Sequence, residues 1–241
     1  FMKLFKSIMI MTASAFLLMG VSGLANQQTP LAATNNTAQA QDTYSNQIPG
    51  SDVTWEVDNG TLKISGGTLD DQTHPWDHND SITNVKITGT LHLDGDAPTY
   101  MFAQLPNVTN IDLTNIDTSN ATKMYGMFSD DHSLTTVNLE KLNTSKVVDM
   151  NGMFYRTGFT SLTNIPLDTR NVTDMYWMFL GMTKLQHISF GKDFLTNNVQ
   201  NMGGMFSEDS ALHTLDLSQF DLRTYAKFDY GTETGMFFDT P

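Results

Sequence analysis

Met124-Tyr125-Gly126-Met127-Phe128 is one copy of a box that returns every 25 to 27 residues, and its recurrence decides how the rest of the chain reads. Its counterparts are Met150-Asn151-Gly152-Met153-Phe154, Met175-Tyr176-Trp177-Met178-Phe179 and Met202-Gly203-Gly204-Met205-Phe206, with partial copies at Tyr100-Met101-Phe102 and Gly235-Met236-Phe237. A fixed period in this range marks stacked supersecondary units, each sharing its core with its neighbours. Six residues after most of the Phe comes a second box, of the form apolar-x-x-apolar-x-apolar. It stands as Leu134-x-x-Val137-x-Leu139, Leu185-x-x-Ile188-x-Phe190 and Leu212-x-x-Leu215-x-Leu217, and Val108-x-x-Ile111-x-Leu113 keeps the same offset from Phe102. The expected fold is a repeat solenoid.

Within one unit, Val137-Asn138-Leu139 alternates as a short strand does, with Val137 and Leu139 inward and Asn138 outward. Asn143-Thr144-Ser145, like Asp117-Thr118-Ser119 and Asp168-Thr169-Arg170, supplies Asx and hydroxyl side chains that bond nearby backbone N–H groups, closing a turn and capping a helix after it. Val148-x-Met150-x-x-Met153-Phe154 then pairs its two Met at i, i+3, the spacing of a single helical or 3-10 turn laid on the strand row. Ten of the fifteen methionines fall in these boxes. Regular recurrence beside Phe reads as core filling, for which unbranched Met is suited, in preference to a metal-thioether stripe. The register slips between Phe154 and Asp168, where either Phe159 or Leu162 can open the strand and Pro166 interrupts it.

Ahead of the repeats, Phe1–Ala25 has the layout of a signal peptide. Lys3 and Lys6 form the positive region, Ile8 to Met19 the apolar run, and Gly23-Leu24-Ala25 a small-x-small cleavage site, with Ala38-Gln39-Ala40 as a second candidate. Residues 26–52 are polar and poor in large apolar side chains, the composition of a flexible spacer. In 53–81, Trp55-Glu56-Val57 and Leu62-Lys63-Ile64 flank Asp58-Asn59-Gly60-Thr61, a hairpin signal. This hairpin, with Pro75-Trp76 behind it, is expected to cap the first coil, since a terminal repeat needs a cover. The repeats occupy 82–241 and break off just after a Met-Phe box, as in a truncated array.

Thirteen basic against twenty-six acidic side chains leave a net charge of −13, which repels phosphate backbones and disfavours nucleic acid as a partner. With no cysteine, packing alone must hold the fold.

Little points to catalysis or to a cofactor. His74, Asp77, His78 and Asp80 contain ligand types suited to zinc, but Pro75 lies between the two His and rules out a helical pairing. Asp94-Gly95-Asp96 and Asp130-Asp131 provide fewer oxygens than calcium takes and read as surface acids. There is no Gly-x-Ser-x-Gly elbow, and the abundant Ser and Thr keep to the repeat period. The outward strand residues Asp112, Asn138, Ser189 and Asp216 form the candidate ligand face. Tyr125, Tyr155, Tyr176 and Trp177 suit either an aromatic binding strip or edge packing between repeats.

The pattern Asp117-Thr118-Ser119-Asn120-Ala121-Thr122-Lys123-Met124, repeated over Asp168 to Met175 and succeeded by the apolar box, resembles the BspA-type leucine-rich-repeat surface proteins. It is most similar to their 26-residue variant in lactobacilli and related Gram-positive bacteria. The resemblance runs from about Val53 to Pro241. It implies a leucine-rich-repeat-like solenoid, with one short parallel strand and one short helical turn per repeat. It also implies exposure on the cell surface and adhesion to host or matrix ligands; the expected protein is secreted or surface-displayed, non-enzymatic, monomeric and not inserted in the membrane once its signal is removed. The ligand would be an extracellular protein or glycan. The alternatives from other classes are a stalk that spaces a distal domain, and a secreted hydrolase.

Overall fold

The computed structural model describes residues 44–223 and 235–241; the expected signal peptide and most of the expected spacer lie outside the described residues. The described part is a parallel β-solenoid of about six turns with almost no helix.

Strands β1 (Tyr44–Gln47), β2 (Thr54–Asp58) and β3 (Thr61–Ile64) are antiparallel, β2 and β3 turning at Asn59-Gly60, both at positive φ. The ordered sheet thus starts ahead of the spacer boundary placed at residue 52. Ile48 is fully buried, and its N–H donates to the Val53 carbonyl at 2.9 Å. One apolar side chain suffices here because β2 supplies the pairing edge.

From β3 onward the pairing is parallel. β5 (Asn84–Ile87), β7 (Asn110–Asp112) and β9 (Thr136–Val137) extend the first sheet in register, Leu62 facing Val85, Val85 facing Ile111, and Ile111 facing Val137. A second sheet of β4 (Gly67–Leu69), β6 (Leu91–Leu93) and β8 (Ile116–Asp117) runs beside it. After a 3-10 turn at Leu139–Lys141 a third sheet takes over, made of β10 (Ser161–Ile165), β11 (His187–Phe190) and β12 (Thr214–Leu215).

The register slip resolves as a bulge in β10. Leu162 faces Ile188 and Ile165 faces Phe190, so three residue steps oppose two, with Asn164 at φ 51°. Phe159 therefore opens the box and Leu162 takes its second place, while Pro166 falls just past the strand, where no ladder N–H is needed.

Each coil drops its Phe onto the next. The rings of Phe102, Phe128, Phe154, Phe179, Phe206 and Phe237 stack with centroids 5.5 to 6.1 Å apart and planes within 18°. The paired Met of the four full boxes are all 0% exposed. Burying a side chain of this size stabilises by ~1.5–3 kcal/mol, so the spine adds substantially to the burial of Leu, Ile and Val along the strand rows.

Two local expectations need correction. Val147 is buried and Val148 is 40% exposed, so the inward residue ahead of Met150 lies three positions before it, as Ala121, Val172 and Val199 do before their Met. The Met boxes are not helical turns either. Amide N–H groups two residues apart reach carbonyls of the adjacent coil: Met124 to Asp149, Gly126 to Asn151, Phe128 to Met153 and Asp130 to Tyr155. A helix would have spent those donors within its own turn.

The Asx turns form, with Oδ1 of Asp117, Asn143, Asp168 and Asp221 each accepting from the backbone N–H two residues on. After Asp117, Asn143 and Asp168 no helix stands to be capped. The threonines beside them act between coils. Thr118, Thr144, Thr169 and Thr196 are buried, and each hydroxyl accepts the N–H and donates to the C=O of a single residue in the next coil, respectively Asn143, Asp168, Leu195 and Asp221. The hydroxyl stands in for a peptide group and completes the rung.

Candidate functional site

The turn face of the solenoid is set by backbone conformation. In every Met box the third and seventh positions have positive φ: Gly126 and Asp130, Gly152 and Arg156, Trp177 and Gly181, Gly204 and Glu208. Tyr100 and Gln104 hold the same places in the first coil. These left-handed residues let each box fold as successive four-residue turns while its N–H groups point along the coil axis. The conformation costs a glycine little, but ~1–3 kcal/mol for a bulky residue.

Side chains at these positions lean onto the adjacent coil. The Tyr100 ring lies where a Cβ on Gly126 would stand, Trp177 covers Gly204, and the Arg156 stem covers Gly181. Along the third-position column the order is therefore Tyr100, Gly126, Gly152, Trp177. Gly126 lies under the Tyr100 ring and Gly152 stays open before Trp177, and the result is a groove of about 360 Å³.

Tyr125 and Tyr155 flank its floor, and Asp77, Gln104, Asp130 and Asn151 contribute polar groups. Tyr125 meets Tyr100 edge-on at 4.8 Å. Tyr155 lies 6.1 Å from Trp177 at 25°, with the Arg156 guanidinium 4.8 Å from the Tyr155 ring centroid. Burial, and after it the neighbouring Tyr125, pushes the Tyr100 phenol up; burial does the same for Tyr155. Both stay neutral hydrogen-bonding groups at any physiological pH.

The aromatic strip expected from Tyr125, Tyr155, Tyr176 and Trp177 is thus partly edge packing and partly groove wall. Tyr176 stacks on Trp177 at 4.5 Å but does not line the groove. Tyr100 is the wall that sequence reasoning misses, because the positive-φ column that places it shows in sequence only as a Gly before Met-Phe.

The strand-face residues fall into two pairs. Asn138 Nδ2 donates to Asp112 Oδ1 at 3.3 Å, and that oxygen also accepts from the Thr114 amide and hydroxyl. Asn138 Oδ1 accepts from Leu113 N–H. Ser189, in β11, accepts at Oγ from Asn164 N–H, and Asp216, just past β12, accepts at Oδ1 from Ser218 N–H. Every one of the four accepts a backbone N–H, Asp112 and Asp216 within their own turns and Asn138 and Ser189 from the neighbouring coil.

His74 is buried with Nε2 3.2 Å from the Ala97 carbonyl, and desolvation lowers its pKa. Among the described residues no group of three or more His, Asp or Glu is placed to hold a metal ion. Asp96 is ion-paired with Lys123 at 2.9 Å.

Asp131 is not a surface acid. It is 0% exposed, and its Oδ1 accepts from Leu105 N–H one coil back at 2.8 Å. Asp209 repeats this on Met182 N–H, also at 2.8 Å. Burial raises both carboxyls, Asp131 well above the usual range and Asp209 to about 8, so Asp209 is protonated near neutrality.

Fold and groove together define a class: a parallel β-solenoid with a glycine-floored, aromatic-walled groove on its turn face. The chain belongs to the family described as Mycoplasma protein of unknown function, DUF285, whose model matches residues 97–188 and 159–239. No curated protein matches the chain, and no solved structure does. Among the described residues no helix is long and apolar enough to cross a membrane.

Proposed function

We propose that this protein is a non-catalytic recognition solenoid, secreted and displayed at a bacterial cell surface, that holds an extracellular protein or glycan. The groove between Tyr100 and Trp177 carries this reading. Two bulky side chains sit there in a backbone conformation that disfavours them, and such strain clusters where function requires it. The rigid Phe and Met spine beneath gives the groove a preformed shape, which lowers the ordering cost of binding.

Resemblance to BspA-type surface proteins supports the same reading through the Asp-Thr-Ser and Met-Phe boxes. The β2–β3 hairpin serves as the cover of the first coil, and the acidic surface keeps the monomer dispersed. The buried acids Asp131 and Asp209 accept from backbone amides, a structural assignment that suits a binder better than a hydrolase.

The test is surface plasmon resonance of the full chain against immobilised matrix proteins and glycans. Saturable binding lost in the Tyr125→Ala/Tyr155→Ala variant supports recognition by the turn face. Absence of any partner leaves a stalk as the better reading, and turnover of a polysaccharide or peptide would favour a hydrolase.

A further inference from the structure

We infer that the groove receives an uncharged pyranose chain laid along the coil axis, a ligand class that rests on the recognition role proposed above. Successive coils rise by ~4.8 Å, the separation of neighbouring parallel strands, which is close to the length of one sugar ring in an extended glycan. Tyr100, Gly126, Gly152 and Trp177 mark four consecutive coils, and with the Tyr100 ring lying over Gly126 the open trough from that ring to Trp177 is about two steps, or ~10 Å. The chain would therefore meet a repeating surface with matching period.

The chemistry of the lining mixes two kinds of contact. Tyr100, Tyr125, Tyr155 and Trp177 offer ring faces and edges on which the C–H faces of pyranoses stack. Gln104 and Asn151 offer amides that, among the described residues, make no side-chain hydrogen bond to the protein. Hydroxyl-rich rings need both kinds at once.

A peptide fits less well. Added strands are captured by unpaired backbone N–H and C=O groups, but the turn face spends these between coils, as with Tyr100 N–H on Tyr125 O and Gln104 N–H on Ser129 O. Charge argues against sulfated or uronic-acid chains, since Asp77 and Asp130 line the groove and the chain carries a net −13.

The experiment titrates the full-length protein with cellohexaose and N-acetylchitohexaose, monitoring tryptophan emission, with a heparin hexasaccharide as the anionic comparison. Trp177 reports from the groove wall, whereas Trp55 and Trp76 are buried elsewhere. A neutral-glycan array extends the search over linkage, and deglycosylated laminin provides the protein arm. Saturable binding of a neutral glycan is expected, at least tenfold weaker in Tyr125→Ala/Tyr155→Ala and within threefold of the original in Tyr125→Phe/Tyr155→Phe, which keeps the rings. Lys86→Ala, on the exposed strand face, should bind unchanged.

Equal or tighter binding of heparin would overturn the inference, as would neutral-glycan binding indifferent to loss of the rings. Capture of deglycosylated laminin through the same tyrosines, with no glycan bound anywhere on the array, would overturn the ligand class and leave recognition standing. Binding of neither would overturn both.

Discussion

Replacing Thr144 by Val tests whether a side-chain hydroxyl does the work of a peptide rung. The side chain is 2% exposed; its Oγ1 accepts from Asp168 N–H at 2.8 Å and donates to Asp168 C=O at 2.9 Å. Val has nearly the same shape, so the spine above and below should not shift. What changes is that an N–H and a C=O lose their partners in a place water reaches poorly. Each orphaned group costs about 1–3 kcal/mol, and the extra methyl returns about 1 kcal/mol, for a net loss of ~1–5 kcal/mol. Thr144→Ser keeps the hydroxyl and deletes one methyl, a loss of about 1 kcal/mol. Urea unfolding of the three proteins gives the order, and native-state amide exchange gives the location. The Asp168 amide should exchange much faster in Thr144→Val and remain protected in Thr144→Ser. A Val variant as stable as the Ser variant, with the Asp168 amide still protected, would refute the rung assignment.

Asp209→Asn tests the buried acid. The folded carboxyl is raised to about 8 from an ordinary value of 3.8. Between those values the unfolded chain has released a proton that the folded chain keeps. The stabilisation is therefore complete below about pH 4, is lost as pH rises towards 8, and is flat beyond, with an amplitude on the order of 5 kcal/mol. Asn accepts the same Met182 N–H without titrating, so stability of the variant relative to the original should climb with pH over that window; parallel pH profiles would count against a buried neutral carboxyl. Two glycines separate conformational strain from ring contact. Gly152→Ala, with nothing nearer its added carbon than Tyr155 Cβ at 3.7 Å, should cost about 1 kcal/mol for the left-handed backbone alone. Gly126→Ala must also displace the Tyr100 ring and should cost about 2–3 kcal/mol; equal melting temperatures for the two would show that the ring does not rest there.

The stacked architecture is legible in the sequence because its signal is periodic and apolar. Met and Phe at one spacing have no other economical burial, and the strand box carries the parallel register for most coils. The Asn59-Gly60 turn likewise stands where its dipeptide places it. The helical reading of the Met box fails because i, i+3 spacing also describes consecutive tight turns. Only the backbone shows that the donors leave the coil. The Thr118, Thr144, Thr169 and Thr196 column reads locally as turn chemistry, since a hydroxyl beside Asx usually closes a turn; its inward direction comes from pairing that no local window contains. Asp131 looks in sequence like half of an exposed acid pair, and its burial one coil beyond Leu105 is a long-range fact. The groove combines both difficulties. Tyr125, Tyr155 and Trp177 stand out as exposed-type aromatics, but Tyr100 joins them only through a shared column of left-handed residues. Of the four candidate-face residues, Asp112 and Ser189 lie in strands while Asn138 and Asp216 fall just past them, and the oxygen atoms of all four accept backbone N–H groups.

Translational stacking of the coils positions every residue of the groove, and electron spin resonance measures it directly, by continuous-wave broadening for the shortest pair and pulsed double resonance for the longer ones. The chain has no cysteine, so nitroxide labels can be introduced in pairs at exposed coil-equivalent positions: Thr83, Thr135, Gln186 and His213. Thr135 and Gln186 are two and four steps from Thr83, and His213 is five, so the backbone separations should grow to about 10, 19 and 24 Å in proportion to step number. A separation between Thr83 and His213 no longer than that between Thr83 and Thr135 would contradict the solenoid and remove the groove with it.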